Sequence, residues 1–148
     1  MPTASQKSGG RRLGLDLASV ENNVPVARAF VAQVIDLWDC DDPDRIVELL
    51  TSEVVTNAVR HARGPIHVEA SLDDDWVVKV ETADHGLGLP QVEHPELLDE
   101  SGRGLLLVQL LAEHWGVETF TDHKVVWFEV PLTPRVESDP LGRGSQIR

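Results

Sequence analysis

The chain has 148 residues, which suits one domain with a sizeable core. Apolar residues make up 41% of it, as in ordinary globular proteins, and a net charge of −12 would repel a phosphate backbone, so direct binding to DNA or RNA is not expected. Cys40 is the only cysteine, which excludes an intrachain disulfide and a cysteine-based zinc site, and no apolar run approaches the ~20 residues that span a bilayer.

Residues 1–12 are polar and rich in small side chains and read as a flexible leader. Lys7, Arg11 and Arg12 are there, but no apolar stretch follows that would make a secretory signal, and the cytoplasm is the expected compartment. Leu13, Leu15 and Leu17 alternate with Gly14, Asp16 and Ala18, which predicts a half-buried strand. Asn23 is a candidate cap, and Pro25 suits the first turn of a helix carrying Ala27, Phe30, Val31, Val34 and Leu37 at helical spacing. Asp41 or Asp42 caps the next helix, with Pro43 just inside, and that helix stops near Gly64-Pro65. Ile66 to Leu72 and Trp76 to Thr82 alternate on either side of Asp73-Asp74-Asp75 and predict a β-hairpin. Asp84 to Ser101 is a long Gly- and Pro-containing loop, a length usually kept for function. Gly104 to His114 reads as a Leu-rich helix stopped by Gly116. Val117 to Thr121 and Val125 to Val130 make a last hairpin, and residues 133–148 read as a flexible tail. Five strands with helices on one side predict a two-layer α/β sandwich over residues 13–132, its sheet mixed and mainly antiparallel.

Three short patterns carry chemistry. Glu53, Asn57 and His61 are four residues apart and so stack along one helix face, beside an apolar stripe of Ile46, Leu50, Val54, Ala58 and Ala62. The stripe suffices for packing. A carboxylate and an amide oxygen one turn apart suit a hard cation such as Mg²⁺, although polar residues on such a helix are more often its solvated face. Asp84-His85-Gly86-Leu87-Gly88 follows an apolar run, and taken alone is an ordinary strand-ending turn. Ser101-Gly102-Arg103-Gly104 opens a helix, where free N–H groups and the positive dipole end suit phosphate. The ordered set of three is far more specific than any one of them. No Gly-x-x-x-x-Gly-Lys-[Ser/Thr] signature occurs.

At these residues the chain resembles the GHKL, or Bergerat-fold, ATPase and kinase superfamily. Glu53-x-x-x-Asn57-Ala58-x-x-His61-Ala62 resembles its asparagine box, Asp84-x-Gly86-x-Gly88 its first glycine box, and Gly102-Arg103-Gly104-Leu105-x-Leu107-Val108 its second. The segment from Gly102 to His114-Trp115-Gly116-Val117 looks like the stand-alone anti-sigma-factor serine/threonine kinases of actinobacteria. The resemblance implies ATP and Mg²⁺ as cofactors, Asn57 as the metal ligand, Glu53 as general base and Asp84 as acceptor for the exocyclic amine of adenine. It implies nucleotide contacts from His61, Gly86, Gly88, Gly102, Arg103, Gly104 and Leu105, with the long loop as a lid over the nucleotide.

The function implied is binding of a sigma factor and phosphorylation of an antagonist protein, with Arg28 on the first helix as a candidate docking residue and a homodimer possible. The alternative is a module that holds ATP and traps a partner without phosphoryl transfer; a base at Glu53 favours the kinase. Two departures stand out. Val125 falls where relatives often carry a Thr whose hydroxyl helps the adenine-binding Asp through water, and His85 is bulky enough to crowd the pocket.

Overall fold

The structure, a computed structural model, describes residues 10–61, 64–85 and 100–136, the first six of the last stretch by backbone alone. In chain order the elements are β1 (Arg11–Leu17), a 3-10 turn (Glu21–Asn23), α1 (Val24–Leu37), β2 (Cys40–Asp41), α2 (Ile46–His61), β3 (Ile66–Leu72), β4 (Val77–Asp84), α3 (Glu100–Leu111), β5 (His114–Thr119), β6 (Lys124–Pro131) and β7 (Thr133–Pro134). Five strands form one sheet in the order β1-β3-β4-β6-β5, and every neighbouring pair in it runs antiparallel. The expected two-layer α/β sandwich is the observed architecture.

Alternation builds the layers. On β3, Ile66, Val68, Ala70 and Leu72 are buried; on β4, Val78, Val80, Thr82 and Asp84; on β6, Val126, Phe128 and Val130. These meet Ala27, Val31, Val34 and Ile35 of α1 and Val47, Leu50, Val54, Val55 and Ala58 of α2 in one core. α2 lies against α1, α3 and β4, so it is the central helix of its layer.

The opposite face of the sheet has a charged surface. Arg12 pairs with Glu69 and reaches Glu81 at 3.7 Å, and Lys79 Nζ sits 4.7 Å over the Trp127 ring. His67 lies between Asp16 at 2.6 Å and Glu69 at 3.0 Å. Gly116 on β5 faces Trp127, where an added Cβ would come within 2.9 Å of ring atoms. Trp127 thus packs on the outer face, while Trp38 is buried in the core.

Several local expectations are corrected. Asn23 makes no side-chain cap; its Nδ2 donates instead to the Ala18 carbonyl at 2.8 Å, tying α1 to the end of β1. Asp42, not Asp41, caps α2, its carboxylate oxygens accepting from the N–H of Ile46 at 3.0 Å and of Val47 at 2.9 Å. Pro43 lies ahead of the helix, and Arg45 takes a positive φ of 54° to enter it. Trp76 ends the turn between β3 and β4 with a φ of 64°, so β4 starts one residue later than expected. α3 begins at Glu100 rather than Gly104 and ends at Leu111, because the Glu113 N–H bonds to the Glu129 carbonyl at 2.8 Å and the following residues pair with β6. Gly116 is therefore a strand residue, not a helix stop.

The leader and tail are also shorter than expected within the described residues. Arg11 and Arg12 belong to β1. Leu132 is buried, and β7 pairs with β2. Arg135 bridges Asp36 at 2.9 Å and Asp41 at 3.3 Å, and its N–H bonds to the Asp39 carbonyl at 2.7 Å. The expected tail is thus pinned as far as Arg135, and its remainder from residue 137 lies outside the described residues.

Candidate functional site

α2 forms because the Asp42 cap precedes a stripe of apolar residues at helical spacing, with Val47, Leu50, Val54 and Ala58 buried. The turn angle then sets Glu53 and Asn57 beside that stripe, both half-buried, and leaves His61 exposed on the last residue. The Asn57 Oδ1 atom is buried, and among the described residues it has no hydrogen-bond partner. An orphaned amide oxygen of this kind costs about 1–3 kcal/mol and demands an explanation. A hard cation that keeps several waters and takes few protein ligands fits it, and among the described residues no cluster of three or more His, Cys, Asp or Glu offers a metal another seat.

Asp84 is the last residue of β4 and only 2% exposed. Its register partner on β6 is Lys124, whose Nζ lies 3.8 Å from Asp84 Oδ2. Two residues back on the same inner face, Thr82 is buried with an Oγ1 that has no partner among the described residues, and on α2 the buried Thr51 hydroxyl is likewise without one. Sequence reasoning passed over all three residues. Alternation from Asp84 would have found Thr82; Lys124 needed the β4–β6 register.

Both expected departures are revised by this geometry. Val125 pairs with Ala83 and so lies on the outer face, away from Asp84; the inner-face neighbour of Asp84 is Lys124, because directly opposed residues of an antiparallel pair share a face. His85 is exposed, with its ring 5.8 Å from that of His123, which itself stacks on Phe120 at 4.4 Å. His85 therefore stands at the β5–β6 hairpin rather than among the buried side chains around Asp84.

Gly86 and Gly88 lie outside the described residues. Gly102 and Arg103 fall in the first turn of α3, where backbone N–H groups have no intrahelical partner, while Gly104 and Leu105 come after it, since the helix starts four residues before Gly104. α3 packs on α2, and α2 on β4, so the three motifs occupy adjoining elements. Arg28, on α1, is exposed, and its Nη1 donates to Ser52 Oγ on α2 at 3.1 Å. No described helix is long and apolar enough to cross a membrane.

The family model of the histidine kinase-like ATPase domain matches residues 17–129. The chain belongs to this family. The GHKL motifs read from the sequence fall within or beside that span, and ATP is the ligand that membership implies. Histidine kinase-like ATPase relatives include an anti-sigma F factor from Priestia megaterium, 27% identical over 123 residues, which cover 73% of this chain and 83% of the relative. The solved RsbU and RsbW domains of a Mycobacterium tuberculosis protein share the fold with a TM-score of 0.64 at 20% identity, over 86% of this chain and 35% of that one. The histidine kinase domain of a blue-light activated histidine kinase from Erythrobacter litoralis gives a TM-score of 0.50 at 28% identity, over 60% of this chain and 44% of that one. The chain thus spans less than half the length of either solved relative.

Proposed function

We propose that this protein is an ATP- and Mg²⁺-dependent serine/threonine kinase of the anti-sigma-factor type, which binds a sigma factor and phosphorylates an antagonist protein on a hydroxyl. The observation that carries the reading is the buried, unpartnered Oδ1 of Asn57, one helical turn beyond the carboxylate of Glu53. The likeness to an anti-sigma F factor supports the partner class.

Asn57 Oδ1 would ligate Mg²⁺, and the metal with its nucleotide supplies neutralisation of charge on the transferring phosphoryl group. Glu53 takes the proton from the attacking hydroxyl, which makes the oxygen a better nucleophile as it approaches phosphorus. The first-turn amides of α3, at Gly102 and Arg103, hold phosphate oxygens at the positive end of the helix dipole. Asp84 accepts a hydrogen bond from the exocyclic amine of the base. Arg28 stays in this reading as a docking residue on α1, with the Ser52 contact holding its guanidinium near the α1–α2 seam.

The test is incubation of the protein with labelled ATP, Mg²⁺ and candidate antagonist proteins. A phosphoprotein that disappears when Glu53 is replaced supports the kinase. ATP-dependent partner binding with no phosphoprotein would replace it with the sequestering module.

A further inference from the structure

We propose that the buried hydroxyl of Thr82 is a base contact of the nucleotide site and donates its hydrogen bond to the N1 ring nitrogen of adenine. The inference rests on the reading of this end of the sheet as a nucleotide site. It asks nothing further of Asp84, which is already partnered and has Lys124 Nζ 3.8 Å away. Thr82 is 1% exposed, and among the described residues its Oγ1 has no hydrogen-bond partner. Its cross-strand neighbours are Val68 on β3 and Val126 on β6, and Val80 precedes it on the same face. None of these side chains carries a polar atom. β4 is paired on both sides, so the backbone groups around Thr82 serve the ladder. Valine has the shape of threonine and would fill this place with no hydroxyl to desolvate. A hydroxyl kept in a wall of valines, without a partner, calls for a ligand atom.

Position says which atom. The inner-face side chains of β4 run Val78, Val80, Thr82 and Asp84, so Thr82 lies one step inward from the end of the strand, roughly 7 Å from Asp84 along it. On β6 the same face runs from Phe128, at 0% exposure, through Val126, at 9%, to half-buried Lys124, so the wall opens toward solvent at the Asp84 end. A base entering there leads with the edge farthest from its sugar. A purine is joined to the sugar through N9, and N1 is the ring nitrogen farthest from that bond. In adenine N1 carries no hydrogen and only accepts, while a threonine hydroxyl donates. Guanine carries N1–H, to which the same hydroxyl would accept, so Thr82 fixes the depth and orientation of the base rather than the choice between purines. Thr51 also has a hydroxyl without a partner among the described residues, but it lies about 9 Å along α2 from Asn57 and serves as the control.

The experiment is calorimetric titration of the full chain with Mg²⁺ and ATP, 1-deaza-ATP (N1 replaced by C–H) or tripolyphosphate, for the wild type, Thr82→Val, Thr82→Ser and Thr51→Val. Thermal denaturation without nucleotide accompanies it. The wild type is expected to bind 1-deaza-ATP about 10-fold more weakly than ATP. Thr82→Val should bind both nucleotides alike at that weaker level, hold tripolyphosphate as the parent does, and melt about 3 °C higher. Thr82→Ser, which keeps the hydroxyl, and Thr51→Val should keep the wild-type ratio of the two nucleotides. The proposal is overturned if Thr82→Val binds ATP with parental affinity or still distinguishes ATP from 1-deaza-ATP. It is also overturned if tripolyphosphate affinity falls as far as ATP affinity, or if Thr51→Val loses the same discrimination. If Thr82→Val does not fold, the wild type decides, and equal affinity for the two nucleotides overturns the contact. A folded wild type that binds neither nucleotide at millimolar concentration overturns the nucleotide reading of the site as well.

Discussion

Asn57→Ala should make the protein more stable and less able to bind its nucleotide. The Oδ1 atom is buried with no donor among the described residues, on a residue otherwise half-buried in α2. Removing a buried, unsatisfied amide oxygen recovers about 1–3 kcal/mol of desolvation. Alanine adds up to about 0.7 kcal/mol of helix propensity over asparagine at this interior position. Against these stand the lost dispersion contacts of a short side chain and a small void, on the order of 1 kcal/mol at a half-buried position. The net is a gain of about 1 kcal/mol, or roughly 3 °C in melting temperature for a domain of this size. The assay is urea and thermal denaturation without nucleotide, paired with titration by ATP and Mg²⁺. Mg-nucleotide affinity should fall while stability rises, the sign pattern of a residue kept for a ligand. A variant that loses more than about 1 kcal/mol of stability and binds ATP as the parent does would refute the reasoning, and Asn57 would be a structural residue.

Glu53→Ala should retain ATP binding and lose roughly 10²–10⁴-fold in transfer rate, because a base acts on the nucleophile rather than on the bound nucleotide; parental rates in a phosphoprotein assay would remove it from that role. Arg28→Ala should cost more than about 1 kcal/mol in partner affinity with ATP affinity unchanged, read by titration at several salt concentrations, and equal affinity throughout would clear Arg28 of docking. Gly116→Ala should destabilise by about 1–3 kcal/mol in urea, since its Cβ would meet the Trp127 ring at 2.9 Å, and Trp127→Ala in the same background should recover part of the loss. Burial works against the charged form of His67, but its hydrogen bonds to Glu69 and Asp16, with their charges, outweigh that and raise its pKa above 6.5. The stability His67 contributes is therefore full below its unfolded pKa and lost as pH rises through the higher folded value, so the gap between wild type and His67→Gln should shrink on going from pH 5.5 to pH 8.5; a gap that widens would reverse the sign.

The sequence by itself determined the elements whose signal is local. The four-residue spacing of Ile46, Leu50, Val54 and Ala58 makes α2 a helix, and the same spacing sets Glu53 and Asn57 on adjacent turns of its flank. Alternation over Ile66 to Leu72 makes β3 a strand with one buried face. The three motifs were legible because each is a short run whose residue types, not their tertiary setting, carry the pattern. Tertiary structure decided what depends on partners distant in the chain. Asn57 Oδ1 is buried without a donor among the described residues because of the packing around α2, which its own segment does not reveal. Arg135 pins the segment after β7 only because Asp36 and Asp41, about a hundred residues earlier, lie within reach. Lys124, not Val125, faces Asp84 because β4 and β6 pair in one register, and a slip of one residue would exchange the two faces. That register is set by which side chains fill the shared core, Val80 against Phe128 and Thr82 against Val126, and no window of sequence around Lys124 contains them both.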